Sequence, residues 1–360
     1  MERSGNVETE AVEIRKNGGT QSPTVKDVAA VAGVSVGTVS RYLNGERLKP
    51  RNAERVAEAI QTLGFRRNLI AGGLRSGRSL AIGVLMDDFR SMFMSELVSS
   101  IESAIEVHDY GVIISDYHAN ANRLAEKVNF LLDRNVDGII LFPHAYQRID
   151  EALELLLSSR IPVCLVNEPR PGTPWDTVLT DNRAASQRAV ELLTSMGHRA
   201  IGGIAGDLEF EGSRSRLAGA RDALESASLP YRSELWPVAS YSMQEAYQKT
   251  LELLRRPERP TALFGMSYNM TLGALRAIHD LELRVPKDIS IVSFDDIDLF
   301  QAIRPRITAV RQPVAEMGAS AVSLLLRRLR NEGASEPERR IVPSDFIVRD
   351  SVGPPPDRAR

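Results

Sequence analysis

The sequence predicts a small all-α head joined to a larger α/β body, and three observations lead there. Residues 23–78 hold ten Lys/Arg against four Asp/Glu, whereas residues 79–360 hold 32 against 39, so a basic segment precedes an acidic one although the whole chain carries only -2. Residues 24–64 read as three short helices separated by glycines. From residue 79 onward, short apolar runs alternate with amphipathic stretches, the pattern of buried parallel strands and crossover helices. At 360 residues the chain exceeds what one hydrophobic core usually serves, so two or three globular units are expected.

The head begins at "TVKDVAAVAGV". Thr24 with Asp27 three residues on makes a capping box, and Val28, Ala29, Val31 and Ala32 follow at helical spacing, which predicts a helix over about 25–31. Gly33 supplies the positive φ of a tight turn, and Ser35 can cap the next helix, whose apolar face runs through Val36, Val39, Tyr42 and Leu43. A third helix starts at Pro50, with Val56, Ala59, Ile60 and Leu63 on one face, and stops at Gly64. Helix, short turn, helix and a supporting third helix compose a helix-turn-helix module.

In such a module the second helix enters the DNA major groove with its first residues toward the base edges. That places Val36, Gly37, Thr38, Ser40 and Arg41 at or near DNA, and the local excess of Lys/Arg suits a phosphate backbone. A glycine inside a helix costs about 1 kcal/mol relative to alanine. Gly37 therefore suggests close approach of the helix backbone to the bases, the alternative being a tolerated surface glycine. Arg41 suits guanine, or else a phosphate.

In the body, "LAIGVLM", "YGVIIS", "VDGIILF", "IPVCLVN", "RAIGGIAG", "TALFG" and "ISIVSF" are the expected strands. "SELVSSIESAIEVH" and "AEKVNFLLDRN" are amphipathic crossover helices. Ligands of open α/β sheets gather at the carboxyl ends of strands, so candidate binding residues should follow these runs.

Several function classes are disfavoured. The single cysteine, Cys164, excludes an internal disulfide and a multi-cysteine zinc site, and the five histidines show no HxH or HxxxH spacing, so neither metal nor cofactor is expected. No apolar run approaches the roughly 20 residues of a membrane span, and residues 1–22 lack the apolar centre of a signal peptide, which predicts a cytoplasmic protein. "GMSYN" misses the G-x-S-x-G nucleophile elbow at its last position, and "GGIAGD" lacks the G-x-G-x-x-G spacing of a dinucleotide loop. An enzyme is not expected; a hydrolase and a periplasmic sugar-binding protein are the less favoured alternatives.

"TVKDVAAVAGVSVGTVSRYLNG" resembles the DNA-binding head of the lactose/galactose-repressor family of bacterial transcription regulators. The similarity continues through "AERVAEAIQTLGFRRNLIAGGLRSGRSLAIGVLMDD", "DTVLTDNRAASQRAVELLTSMGHRAIGGIAG", "RSRLAGARDAL" and "VPKDISIVSFDDIDLFQAIRPRITAVRQPVAEMG". It implies a DNA-facing set of Thr24, Ser35, Val36, Gly37, Thr38, Ser40, Arg41 and Asn44 in a head of residues 23–64; residues 1–22 precede the match and are expected to be a disordered extension. It further implies a linker over 65–78 with a hinge helix ordered on operator DNA, in which Leu74 wedges into the minor groove and Asn68 and Ala71 occupy hinge positions.

For residues 79–352 the resemblance implies a periplasmic-binding-protein-like body of two Rossmann-like subdomains, about 80–179 plus 310–338 and about 180–309 plus 339–352, with an effector cleft between them and a flexible tail over 353–360. Phe93, Asn167, Arg216 and Asp295 match effector-binding positions, and Tyr241 matches an aromatic one. Where the family commonly has Asn-Asp after "TALFG", this chain has Ser267 and Tyr268 in "MSYNMT", so Tyr268 adds a ring to the cleft or the cleft is degenerate and the regulator ligand-independent. Otherwise the set suits a sugar, a sugar acid or a derivative, because hydroxyls both donate and accept. The implied protein is a homodimeric regulator, most simply a repressor, working on a pseudo-palindromic operator through two conformational states. The terminal "DSVGPPPDRAR" shows no leucine heptad for a tetramer.

Overall fold

The computed structural model describes residues 23–43, 45–65, 78–143, 150–332 and 336–357. The chain divides into two compact units, a head and a body, with the boundary between residues 77 and 78. Among the described residues no helix is long and apolar enough to cross a membrane.

The head contains α1 (Val25–Ala32), α2 (Val36–Leu43) and α3 (Pro50–Leu63). Thr24 closes the expected capping box: its Oγ1 accepts from the Asp27 amide, while Asp27 accepts from the Thr24 backbone. Gly33 ends α1 at φ 59° and Gly64 ends α3 at φ 59°, both in the left-handed region. Val28, Ala29, Ala32, Val39, Val56, Ala59 and Phe65 form the core. Two expected apolar positions fall outside it: Val31 is 47% and Val36 42% exposed. Three short helices bury only one narrow stripe each, so α1 spends Val28 and Ala32 inward and α2 spends Val39, which turns Val31 and Val36 to solvent.

The body carries two sheets. The first runs β10-β5-β4-β3-β1-β2, all parallel, from β1 (Ala81–Met86), β2 (Gly111–Asp116), β3 (Gly138–Leu141), β4 (Val163–Val166), β5 (Asp176–Thr180) and β10 (Arg339–Val342). Its faces are covered by α4 (Met92–Glu106) and α12 (Val314–Leu329) on one side and α5 (Ala121–Asp133) and α6 (Asp150–Ser159) on the other. The second runs β11-β9-β8-β7-β6, from β6 (Ile201–Ile204), β7 (Ala262–Gly265), β8 (Ser290–Phe294), β9 (Thr308–Arg311) and β11 (Asp345–Ile347), parallel except for β11. With it go α7 (Asn182–Ser195), α8 (Glu211–Ser226), α9 (Met243–Leu254), α10 (Tyr268–Asp280) and the short α11 (Leu299–Ala302).

The chain crosses between these lobes three times, after β5, after β9 and between β10 and β11. Asp181 pins two crossings together, accepting from the Ser344 amide at 2.8 Å and from Arg188 Nη2 at 3.0 Å.

Four strands were not among the expected runs. β5 starts with Asp176, whose buried carboxylate takes Arg328 Nη2 at 2.6 Å, and β10 reads Arg-Arg-Ile-Val at the sheet edge, so charge hides both from an apolar-run search. β9 and β11 have only four and three residues. The expected subdomain limits are corrected accordingly. β10 bonds to β5 in the first sheet, so residues 339–342 belong there, and β9 keeps residues 310–311 in the second.

The expected flexible tail is also corrected at its start. Gly353 is buried, donates to Ser290 Oγ at 3.0 Å, and its carbonyl lies 2.9 Å from His198 Nε2.

Candidate functional site

On the head, α2 is attached to the core by Val39, with Tyr42 and Leu43 half-buried against it. Ser35, Val36, Gly37, Ser40 and Arg41 are exposed, and Thr38 is half-buried with its Oγ1 2.9 Å from Ser35 Oγ. The Ser35 hydroxyl also accepts from the Thr38 amide at 3.2 Å and so caps α2. A side chain at Gly37 would find only Ser35 Oγ, at 3.8 Å, so nothing within the head asks for a glycine there. Thr24 is exposed, but its hydroxyl also donates to Asp27 at 2.7 Å, and the Thr24 bonds hold the Asp27 carboxyl below its ordinary pKa. The expected contacts Asn44, Asn68, Ala71 and Leu74, the hinge segment and residues 1–22 lie outside the described residues.

In the body the six expected effector residues, Phe93, Asn167, Arg216, Tyr241, Tyr268 and Asp295, line one cleft of about 430 Å³ between the lobes. The first lobe supplies Phe93 from the first turn of α4 and Asn167 from the end of β4; the second supplies Arg216 from α8, Tyr241 from the turn before α9, Tyr268 from the start of α10 and Asp295 from the end of β8. Strand ends converge here because parallel strands all point their carboxyl ends the same way. Asn167 (φ 71°), Tyr241 (φ 59°) and Asp295 (φ 73°) sit in the left-handed region, which Asn and Asp tolerate but which is costly for Tyr241.

Arg216 is held rigidly. Its Nε donates to Asn182 Oδ1 and its Nη1 to the Met266 carbonyl, each at 2.7 Å, while the guanidinium lies 3.6 Å from the Phe294 ring centroid. Asp295 accepts from Gln312 Nε2 at 2.6 Å and from the Tyr268 amide at 3.1 Å. Tyr268 in turn reaches across the cleft, its hydroxyl accepting from the Met92 amide at 3.3 Å in the first turn of α4, where Ser91 caps the Met94 amide. Tyr241 packs edge-on against Phe210, with centroids 5.7 Å apart, and its hydroxyl lies 2.6 Å from Ser213 Oγ. Burial pushes that hydroxyl above its ordinary pKa, opposed by Arg216 and Ser213.

Sequence reasoning missed Asp87, Glu168, Asp207, Phe210 and Gln312, which line the same cleft. The strand-end rule could have found Asp87 after β1, Glu168 after β4 and Gln312 after β9. Glu168 is 2% exposed and accepts from the Glu211 amide at 3.0 Å, placing a first-lobe carboxylate at the N-terminus of a second-lobe helix. Asn167 Oδ1 and Gln312 Oε1 are buried without a hydrogen-bond partner among the described residues.

The motifs that resemble catalytic ones have structural uses. Ser267 caps α10 through the Met270 amide at 3.2 Å. In "GGIAGD", a Cβ on Gly202 would meet the Leu235 carbonyl at 2.6 Å, and one on Gly203 the Phe264 carbonyl at 2.5 Å, so both glycines serve close packing. His198 is fully buried between Thr261, Ser290 and Gly353, and burial lowers its pKa against the opposing Gly353 bond. The acidic pair after β8 is split. Asp295 faces the cleft, while Asp296 is buried against Arg349 and Arg311, both at 2.7 Å; burial acts to raise its pKa, but the two arginines lower it on balance.

Residues 24–68 match the model of bacterial regulatory proteins, lacI family, and residues 190–352 match a periplasmic binding protein-like domain. Catabolite control protein A of Priestia megaterium is 33% identical over 311 residues, covering 86% of this chain and 93% of that protein. Among solved structures, a complex of the transcriptional regulator CelR with cellobiose has a TM-score of 0.70 at 29% identity, covering 91% of this chain and 99% of that one. The lac repressor dimer bound to operator and the anti-inducer ONPF has a TM-score of 0.81 at 26% identity, covering 92% of this chain and all of that one, 100%. With a helix-turn-helix head, a body of two α/β lobes and a relative of this identity along nearly its whole length, the chain belongs to the lacI family of bacterial regulatory proteins.

Proposed function

We propose that the chain is a sequence-specific, DNA-binding transcription regulator, in its simplest form a cytoplasmic repressor, that binds a pseudo-palindromic operator as a homodimer under control of a small hydroxylated effector. The observation that carries this reading is the pairing of an exposed helix-turn-helix face with a lined cleft between two lobes joined by three crossings. Ser35, Val36, Gly37, Thr38, Ser40, Arg41 and Asn44 are assigned to the DNA, and Asn68, Ala71 and Leu74 to the hinge. Phe93, Asn167, Arg216, Tyr241, Tyr268 and Asp295 are assigned to the effector. The lac repressor and CelR structures, one on operator and one with cellobiose, support both halves of the assignment.

The cleft suits binding rather than catalysis. Ser267, the serine of the elbow-like motif, is committed to a helix cap, and His198 lies in the core of the second lobe, so these two do not form a catalytic pair. An effector acts by binding one arrangement of the lobes better than the other. Tyr268 already bridges the lobes, which adapts the cleft to a ligand that completes a contact already half made. Selection of bound sites from random duplex DNA by the full chain tests the reading. It predicts enrichment of one inverted repeat, and recovery of unbiased sequence overturns it.

A further inference from the structure

Resting on the reading of the cleft as an effector site, we infer that its ligand is a donor-rich polyol carrying no anionic group, and that an amine on the ring strengthens its binding. Three features of the cleft point the same way. The first is charge. Among the described residues the lining holds five carboxylates, with Asp87, Glu168, Asp207 and Asp295 among them, against the guanidinium of Arg216. That guanidinium spends two of its five N–H donors on Asn182 and Met266 and is stacked on Phe294, so it is one partly committed cation facing several carboxylates. The fifth carboxylate, Asp88, is paired with the exposed Arg90 at 3.0 Å, and carboxylates still outnumber cations in the described lining.

The second is the count of acceptors. Gln312 is 8% exposed, and its amide orientation is fixed because its Nε2 must face the carboxylate of Asp295, which can only accept. Its Oε1 is therefore a buried acceptor with no donor among the described residues, and Asn167 Oδ1 on the opposite lobe is another. Buried acceptors without donors are costly, and a ligand that brings hydroxyl or ammonium protons relieves that cost. A carboxylate or phosphate brings none.

The third is the reach of the negative field. Glu96 lines a second cavity that shares Phe93, Tyr268, Asp295 and Gln312 with the cleft. Burial raises its carboxyl pKa, and the charges of Asp298 and Asp295 raise it further. Around the cleft, then, protons are favoured and added negative charge is opposed. Phe210 and Tyr241, packed edge-on, also line the cleft and add aromatic surface of the kind that suits both a sugar ring and an ammonium group.

The experiment is calorimetric titration of the full chain with matched ring series in the gluco, galacto and manno configurations, and with their β-1,4-linked dimers. Each series contains the parent sugar, its 2-amino form, its uronic acid and its 6-phosphate. In the series that binds, the amine is expected to bind roughly tenfold or more tighter than the parent, the scale of a partly desolvated charge pair. The uronic acid and phosphate fall at least as far below the parent. Added salt and Asp295→Asn should both narrow the gap between amine and parent.

An acid or phosphate that matches or exceeds its parent overturns the inference and leaves the effector reading standing, as does parity of amine and parent for the ring amine. Silence in every arm removes the effector reading and the inference together. DNA site selection reports on the regulator reading independently of all these arms.

Discussion

Replacing Gly37 by alanine should strengthen the recognition helix and weaken its grip on DNA. Alanine exceeds glycine by about 0.8–1.0 kcal/mol in a helix interior, which sets the upper limit for Gly37 in the first turn of α2. The site can accept it, because the added methyl meets only Ser35 Oγ at 3.8 Å and Gly37 is exposed on α2. Hydrogen exchange of the α2 amides that open locally should then slow by roughly fivefold, the equilibrium factor for about 1 kcal/mol. Against DNA the same methyl holds the helix axis away from the base edges. The expected loss in specific affinity is about 1–3 kcal/mol per half-site, the scale of one lost base contact. Anisotropy titration on the selected duplex and on a scrambled one measures it, with non-specific affinity unchanged. If specific affinity holds constant or rises along with helix stability, Gly37 is a tolerated surface residue and the close-approach argument is refuted.

Four further outcomes are expected. Arg41→Ala, at an exposed position on α2, should relax preference at one base pair by about 1–3 kcal/mol; an equal loss on every sequence marks Arg41 as a phosphate contact instead. Leu74→Ala should weaken specific binding much more than non-specific binding if the hinge wedge is real, and an equal loss for both removes that role. Asp295→Ala removes the carboxylate shared by Gln312 and Tyr268, so the effector response should vanish while operator affinity in its absence is retained, as competition titrations can show. His198 is buried with a lowered pKa, so the unfolded state binds more protons as pH falls below about 6.5. Stability of the second lobe should therefore be full above that pH and decline toward the folded pKa, and His198→Gln should flatten the profile measured by urea unfolding.

Legibility followed how local the physics is. The capping box at Thr24, the turn at Gly33 and the start at Pro50 are set by neighbouring residues, and all appear where the chain's chemistry places them. Apolar runs gave seven strands, six of them buried in a parallel sheet and β2, at a sheet edge, partly exposed. β5 and β10 escaped because a long-range ion pair neutralises Asp176 and because an edge strand tolerates Arg339 and Arg340. Family resemblance supplied six residues that the fold brings into one cleft. It was silent on Glu168 and Gln312, whose partners, the Glu211 amide and Asp295, lie 43 and 17 residues away in the chain. The same limit explains the tail. Nothing near Gly353 shows that it would cover His198, some 155 residues earlier in the chain.

The decisive measurement compares one duplex carrying the selected inverted repeat with the same duplex having one half-site scrambled, titrated with the full chain at moderate ionic strength. A twofold-symmetric reader loses several orders of magnitude in affinity, on the order of 10³ or more, when half its site is removed. Equal binding to both duplexes contradicts the account.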